Sequence, residues 1–67
     1  MDNLTLKNNV KQARSEKGLS QEELAEKVGT SRQTIISIEK GEYNPTMKLG
    51  LLIALVLDKK IEELFYF

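Results

Sequence analysis

The glycine at position 29 constrains this chain more than any other residue. It lies inside residues 21–39, QEELAEKVGTSRQTIISIE, between two runs of periodic apolar positions. Leu24, Ala25 and Val28 precede it, Ile35 and Ile38 follow it, and the helical spacing of these five is broken once, at the glycine. Two short helices joined by a tight turn are the expected result. Gly29 has no Cβ, so the backbone can take positive φ there and reverse within a few residues. Ala25 is small enough for the second helix to cross closely over the first. Ser20 and Glu23 form an S-x-x-E capping box that fixes where the first of these helices starts, and Thr30 or Ser31 caps the second.

The 67 residues read as one domain, 1–67. A core this small makes association with a second copy a natural source of stability. The absence of cysteine rules out a disulfide framework and a thiolate zinc site, and suits a cytoplasmic protein. The absence of histidine removes the commonest metal ligand and the commonest general base. No nucleophile–base pair, metal cluster or phosphate-cradling loop appears, and Glu22 and Glu23 are accounted for by capping and the helix dipole. An enzyme is therefore not expected, nor a cofactor, a metal or a small-molecule ligand. The most apolar run, residues 49–57, falls far short of the ~20 residues a membrane span needs. The start of the chain also lacks the basic-then-apolar pattern of a signal peptide.

Outside the central stretch the chain alternates between helix and punctuation. Residues 4–6 read as a short strand, the alternative being a helix from Asp2, and a first helix begins near Asn8 and ends at Gly18. Val10, Ala13 and Arg14 face inward on it, and Leu19 drops into the core. Gly41 closes the helix that ends near Lys40, residues 42–45 form a loop, and Thr46 caps a helix running to about Leu57. Gly50 inside that helix costs ~1 kcal/mol relative to alanine, which suggests close packing against a neighbour. Asp58 caps a short last helix through Leu64. The closing aromatic residues 65–67 favour a strand, paired antiparallel with residues 4–6.

The helix over residues 47–57 is more apolar than one core face requires. Leu49, Ile53, Val56 and Leu57 fill the core, which leaves Leu51, Leu52 and Leu55 on other faces. With Phe65 and Phe67, these leucines are the candidate homodimer interface.

Gln21, Ala25, Gly29, Ile35 and Ile38, together with the segments SRQTI, IEKGEYNP and EELF, resemble the phage-repressor and Cro-like helix-turn-helix regulators. Within that family the chain is similar to the minimal single-domain cytolysin-repressor type. The resemblance covers roughly residues 8–65. It implies an all-α, compact five-helix repressor-like domain with a small antiparallel pairing of the terminal strands. It also implies a homodimer that reads a palindromic operator through the major groove of double-stranded DNA. By the same resemblance Gln21 touches a phosphate and helps orient the recognition helix. Ser31, Arg32, Gln33, Thr34 and Ser37 face the groove, and Lys40, Tyr43 and Asn44 follow the backbone. Arg14 and Glu39 form an internal ion pair.

The chemistry of these residues agrees. Arg32 suits guanine O6 and N7, Gln33 suits adenine N6 and N7, and Ser31 and Thr34 are short enough for a phosphate or a thymine methyl. An ordinary solvated helix face would favour Glu–Lys pairs over Ser-Arg-Gln-Thr. The charge balance, ten basic against ten acidic residues, is unusual for a nucleic-acid binder. Its distribution helps: Glu22, Glu23 and Glu26 crowd the first helix of the motif, while residues 27–57 carry Lys27, Arg32, Lys40 and Lys48 against Glu39 and Glu42. The competing reading is a protein-interaction module, an antitoxin or antirepressor. Arg32 and Gln33 weigh against it, because such a surface favours aromatic and aliphatic anchors at that position.

Overall fold

The computed structural model describes residues 4–67. Among these described residues there are five helices: α1 (Val10–Glu16), α2 (Gln21–Val28), α3 (Arg32–Glu39), α4 (Met47–Leu57) and α5 (Ile61–Leu64). Strands β1 (Lys7–Asn8) and β2 (Phe65–Tyr66) flank them and pair antiparallel, with Lys7 opposite Tyr66 and Asn8 opposite Phe65.

Local chemistry sets most of the boundaries. The Ser20 hydroxyl accepts from the Glu23 amide at 3.0 Å, and the Glu23 carboxylate accepts from the Ser20 amide at 2.8 Å, closing the capping box. Those two Ser20 groups, the amide first, hold the Glu23 carboxyl below its ordinary range. Ser31 and Thr46 cap α3 and α4 by accepting from the amides of Thr34 and Leu49. Gly29 stands at φ 78° and ends α2, its amide shared between the Ala25 and Glu26 carbonyls.

The core is the inner face of α1 to α4, closed by Leu64 of α5. Val10, Leu24, Ile35, Ile38, Ile53, Leu57 and Leu64 are fully enclosed, with Ala13, Ala25, Val28 and Ala54 between them. Leu19, Leu49, Leu52, Val56, Ile61 and Phe65 pack on its edge. The contact of α2 with α3 is the most extensive in the molecule, with Ala25 buried. Gly50 lies under α5, where an added Cβ would meet the Ile61, Phe65 and Pro45 side chains at ordinary contact distances of 3.4–3.9 Å.

Several boundaries differ from the sequence expectation. The first strand is Lys7–Asn8 rather than residues 4–6, and its partner stops at Tyr66, so Phe67 is unpaired. The reason is a pair of asparagines. Asn9 donates from its amide to the Leu64 carbonyl at 2.9 Å and from its side chain to the Glu63 carbonyl at 3.2 Å. The Tyr66 hydroxyl donates back to Asn9 Oδ1. These bonds fix the register two residues beyond Leu6. The first helix consequently starts at Val10, not Asn8, and its last turn is closed by Lys17, with Gly18 just after it. Asp58 does not start the last helix. It ends α4 in the left-handed conformation, φ 57°, which aspartate tolerates better than most residues. Lys60 takes the N-cap position of α5, its amide donating to the Glu63 carboxylate at 2.8 Å. The alternative helix from Asp2 would begin outside the described residues. Among the described residues, no helix is long and apolar enough to cross a membrane.

Candidate nucleic-acid interface

The side of α3 turned away from Ile35 and Ile38 carries Gln33, Ile36, Ser37 and Lys40 in steps of three and four residues, with Arg32 beside Ile36. Arg32, Gln33 and Lys40 are exposed, while Ile36 and Ser37 are half-buried. Among the described residues neither Arg32 nor Lys40 enters an ion pair. Both cations are therefore available to an external anion. The Gln33 amide leans along the helix to the Ser37 hydroxyl at 3.4 Å. At the N-terminus of α3 the Ser31 and Thr34 hydroxyls are 2.8 Å apart, so Ser31 both caps the helix and fixes Thr34. Tyr43 and Asn44 are exposed in the loop after α3.

The orientation of α3 is set by a partly buried polar cluster beneath its last turn. Arg14 Nε donates to Glu39 Oε2 at 2.6 Å and its Nη2 to Oε1 at 3.3 Å, while its Nη1 donates to the Leu19 carbonyl at 2.7 Å. The two side chains are only 11% and 3% exposed. Gln21, at the start of α2, donates from Nε2 to Glu39 Oε1 at 3.1 Å. One carboxylate at the end of α3 thus gathers donors from α1 and α2. The Gln21 amide has a second hydrogen free for an external acceptor. Enclosed charges of this kind fix geometry more than they add stability, because desolvation offsets much of the attraction.

A second tether has no local signal in the sequence. Asn8 donates from Nδ2 to the Ile38 carbonyl at 2.9 Å, and its Oδ1 accepts from the Val10 amide at 3.1 Å. It ties the two-stranded sheet to the end of α3. Ile36 is equally inconspicuous, because in the sequence it looks like a continuation of Ile35.

The candidate association face lies on α4 and β2. Met47, Leu51 and Leu55 follow at i, i+4 and i+8 and are 74%, 50% and 76% exposed. Phe67 is 70% exposed beyond them, whereas Leu52 and Phe65 are half-buried on the edge of the core. Met47 belongs to the stripe by spacing alone, a signal the sequence did carry.

The helix-turn-helix family profile matches residues 10–64, from the first residue of α1 to the last of α5. The chain belongs to that family. As a helix-turn-helix protein of the Cro/C1 type it is a DNA-binding transcriptional regulator. It is 50% identical over 62 residues to an uncharacterized HTH-type transcriptional regulator of Methanocaldococcus jannaschii, covering 92% of this chain and 94% of that one. A second such regulator, from Archaeoglobus fulgidus, is 45% identical over 62 residues, 92% of this chain and 89% of the relative. Among solved structures, the restriction-modification controller protein C.AhdI of Aeromonas hydrophila superposes with a TM-score of 0.75 at 35% identity. The match covers 81% of this chain and 78% of that one. The two-stranded sheet beside the helices completes a helix-turn-helix fold of this kind.

Proposed function

We propose that this helix-turn-helix protein is a cytoplasmic repressor whose single domain acts as a homodimer on a palindromic operator. The observation that carries the reading is the outward ridge of α3, two free cations and a glutamine on a helix whose inner end is pinned by Arg14, Gln21 and Asn8. Arg32 and Gln33 read base edges, because a helix entering the major groove presents its first turns there. Ser31, Thr34 and Ser37 contact phosphate or flank those bases. Gln21, Lys40, Tyr43 and Asn44 follow the phosphate backbone and set the register. Arg14 and Glu39 hold the ridge at a fixed angle. The stripe Met47–Leu51–Leu55, with Leu52, Phe65 and Phe67, meets its own copy, since a self-complementary apolar patch is what a two-fold interface requires.

Selection of random duplex DNA by the purified protein tests the reading. The expected product is a palindrome with half-sites about one helical turn, ~34 Å, apart. Replacing Arg32 with alanine should then weaken binding by ~1–3 kcal/mol and relax preference at one base pair of each half-site. Enrichment of no sequence would favour the protein-interaction module, for which the same apolar stripe would be the docking face.

A further inference from the structure

Ile36 is an aliphatic side chain in the middle of an otherwise polar ridge. Arg32 and Gln33 precede it by one turn and Lys40 follows it by one. It is half-buried, yet it belongs neither to the described core nor to the partly buried side chains packed against it. Ile35 and Ile38, both fully enclosed, already supply the apolar contribution of α3 to the interior. Gln33 leans toward Ser37, on the opposite flank, so it does not cover Ile36. Part of a branched hydrocarbon is thereby left open on a ridge where every neighbour offers hydrogen bonds.

Building on the DNA-reading role above, we infer that Ile36 is a specificity-determining residue that recognises the C5-methyl group of a thymine. The major groove displays donors and acceptors at every base pair but only one apolar feature, that methyl. An isoleucine on the groove-facing side gains from a thymine and gains nothing from cytosine, whose edge presents an amino donor. It would also leave that donor unsolvated and unpaired, which strengthens the discrimination. Arg32 and Gln33 can read the hydrogen-bonding edges of neighbouring purines, and Ile36 reads the pyrimidine. The half-site should therefore carry a thymine close to the base pair read by Arg32 or Gln33.

The test uses the selected operator with each thymine replaced in turn by deoxyuridine, which removes the methyl and leaves every hydrogen-bonding group in place. For the wild-type protein, one substitution in a half-site should weaken binding about fourfold, the effect of losing one buried methyl, and the others should change little. In Ile36→Ser, affinity for the thymine operator should be lower and the uridine effect at that position should vanish. Ile36→Val, shorter by one methylene, should give an intermediate effect. Thermal melting checks that Ile36→Ser folds; should it not, the valine variant decides alone. A wild-type protein indifferent to every uridine, or an unchanged uridine effect in the variants, overturns the role of Ile36 while leaving the operator-binding reading intact. Failure of the selection to enrich any duplex removes that reading and the role of Ile36 with it.

Discussion

The outward faces of α3 and α4 are held on different terms. The outer side of α3 is polar, and its inner end is tied by directional bonds: Arg14 and Gln21 on the Glu39 carboxylate, Asn8 on the Ile38 carbonyl. The outer side of α4 is a row of apolar side chains, Met47, Leu51 and Leu55, on a helix positioned by packing. A surface that distinguishes one base from another must arrive at a fixed angle, and hydrogen bonds with strict geometry supply that. A surface that only removes apolar area from water tolerates small shifts. The contrast predicts that substitutions beneath α3 act through orientation and those on α4 through area.

The largest effect is expected at the shared carboxylate. Glu39→Ala strands the Arg14 guanidinium and should cost ~3–5 kcal/mol in thermal or denaturant unfolding. A loss below ~1 kcal/mol would erase the distinction between the two faces. Leu55→Glu comes next. It should raise the dimer dissociation constant at least about tenfold in sedimentation, because a buried leucine contributes ~1.5–3 kcal/mol. Folding of the monomer should change by no more than ~0.5 kcal/mol, since Leu55 is exposed within one copy. An unchanged sedimentation profile would overturn the proposed α4 interface. Asn8→Ala removes two hydrogen bonds and should cost ~1–2 kcal/mol of stability. If its tether orients α3, operator affinity measured well below the melting temperature should also fall. The smallest change is Gly50→Ala. The added methyl finds ordinary contact distances and removes a helix-interior glycine, so stability should rise by up to ~1 kcal/mol. Operator affinity should not move, because Gly50 is buried and lies outside the α3 ridge.

Features governed by neighbouring residues were legible in the sequence. Ser20 with Glu23, Gly29, Ser31 and Thr46 act within a turn of themselves, so caps and turn chemistry locate α2, α3 and α4 almost to the residue. What spacing could not convey were bonds reaching across the chain. Asn8 and Asn9 look like a break between a strand and a helix, yet their partners, Ile38, Glu63, Leu64 and Tyr66, lie 30 to 57 positions away and move the strand to Lys7–Asn8. Asp58 is ambiguous for a different reason. Aspartate favours both helix starts and the left-handed conformation, and only the packing of α4 on α5 selects the second. At the interface, the residue types of the α3 ridge were readable, but Ile36 was hidden by Ile35 beside it. Adjacent isoleucines point only ~100° apart around a helix, and composition does not say which one is spare.

The closing of the two-stranded sheet bears on how the protein is made. Ribosomal synthesis delivers β1 well before β2, so the segment carrying Asn8 has no strand to lie against until residues 65 and 66 emerge. A copy cut short before Leu64 lacks the carbonyl that anchors the Asn9 amide, and its Asn8 would reach for α3 from an unmoored end. Fragments cut before Leu64 would then carry an α3 whose second tether, Asn8, is itself unanchored.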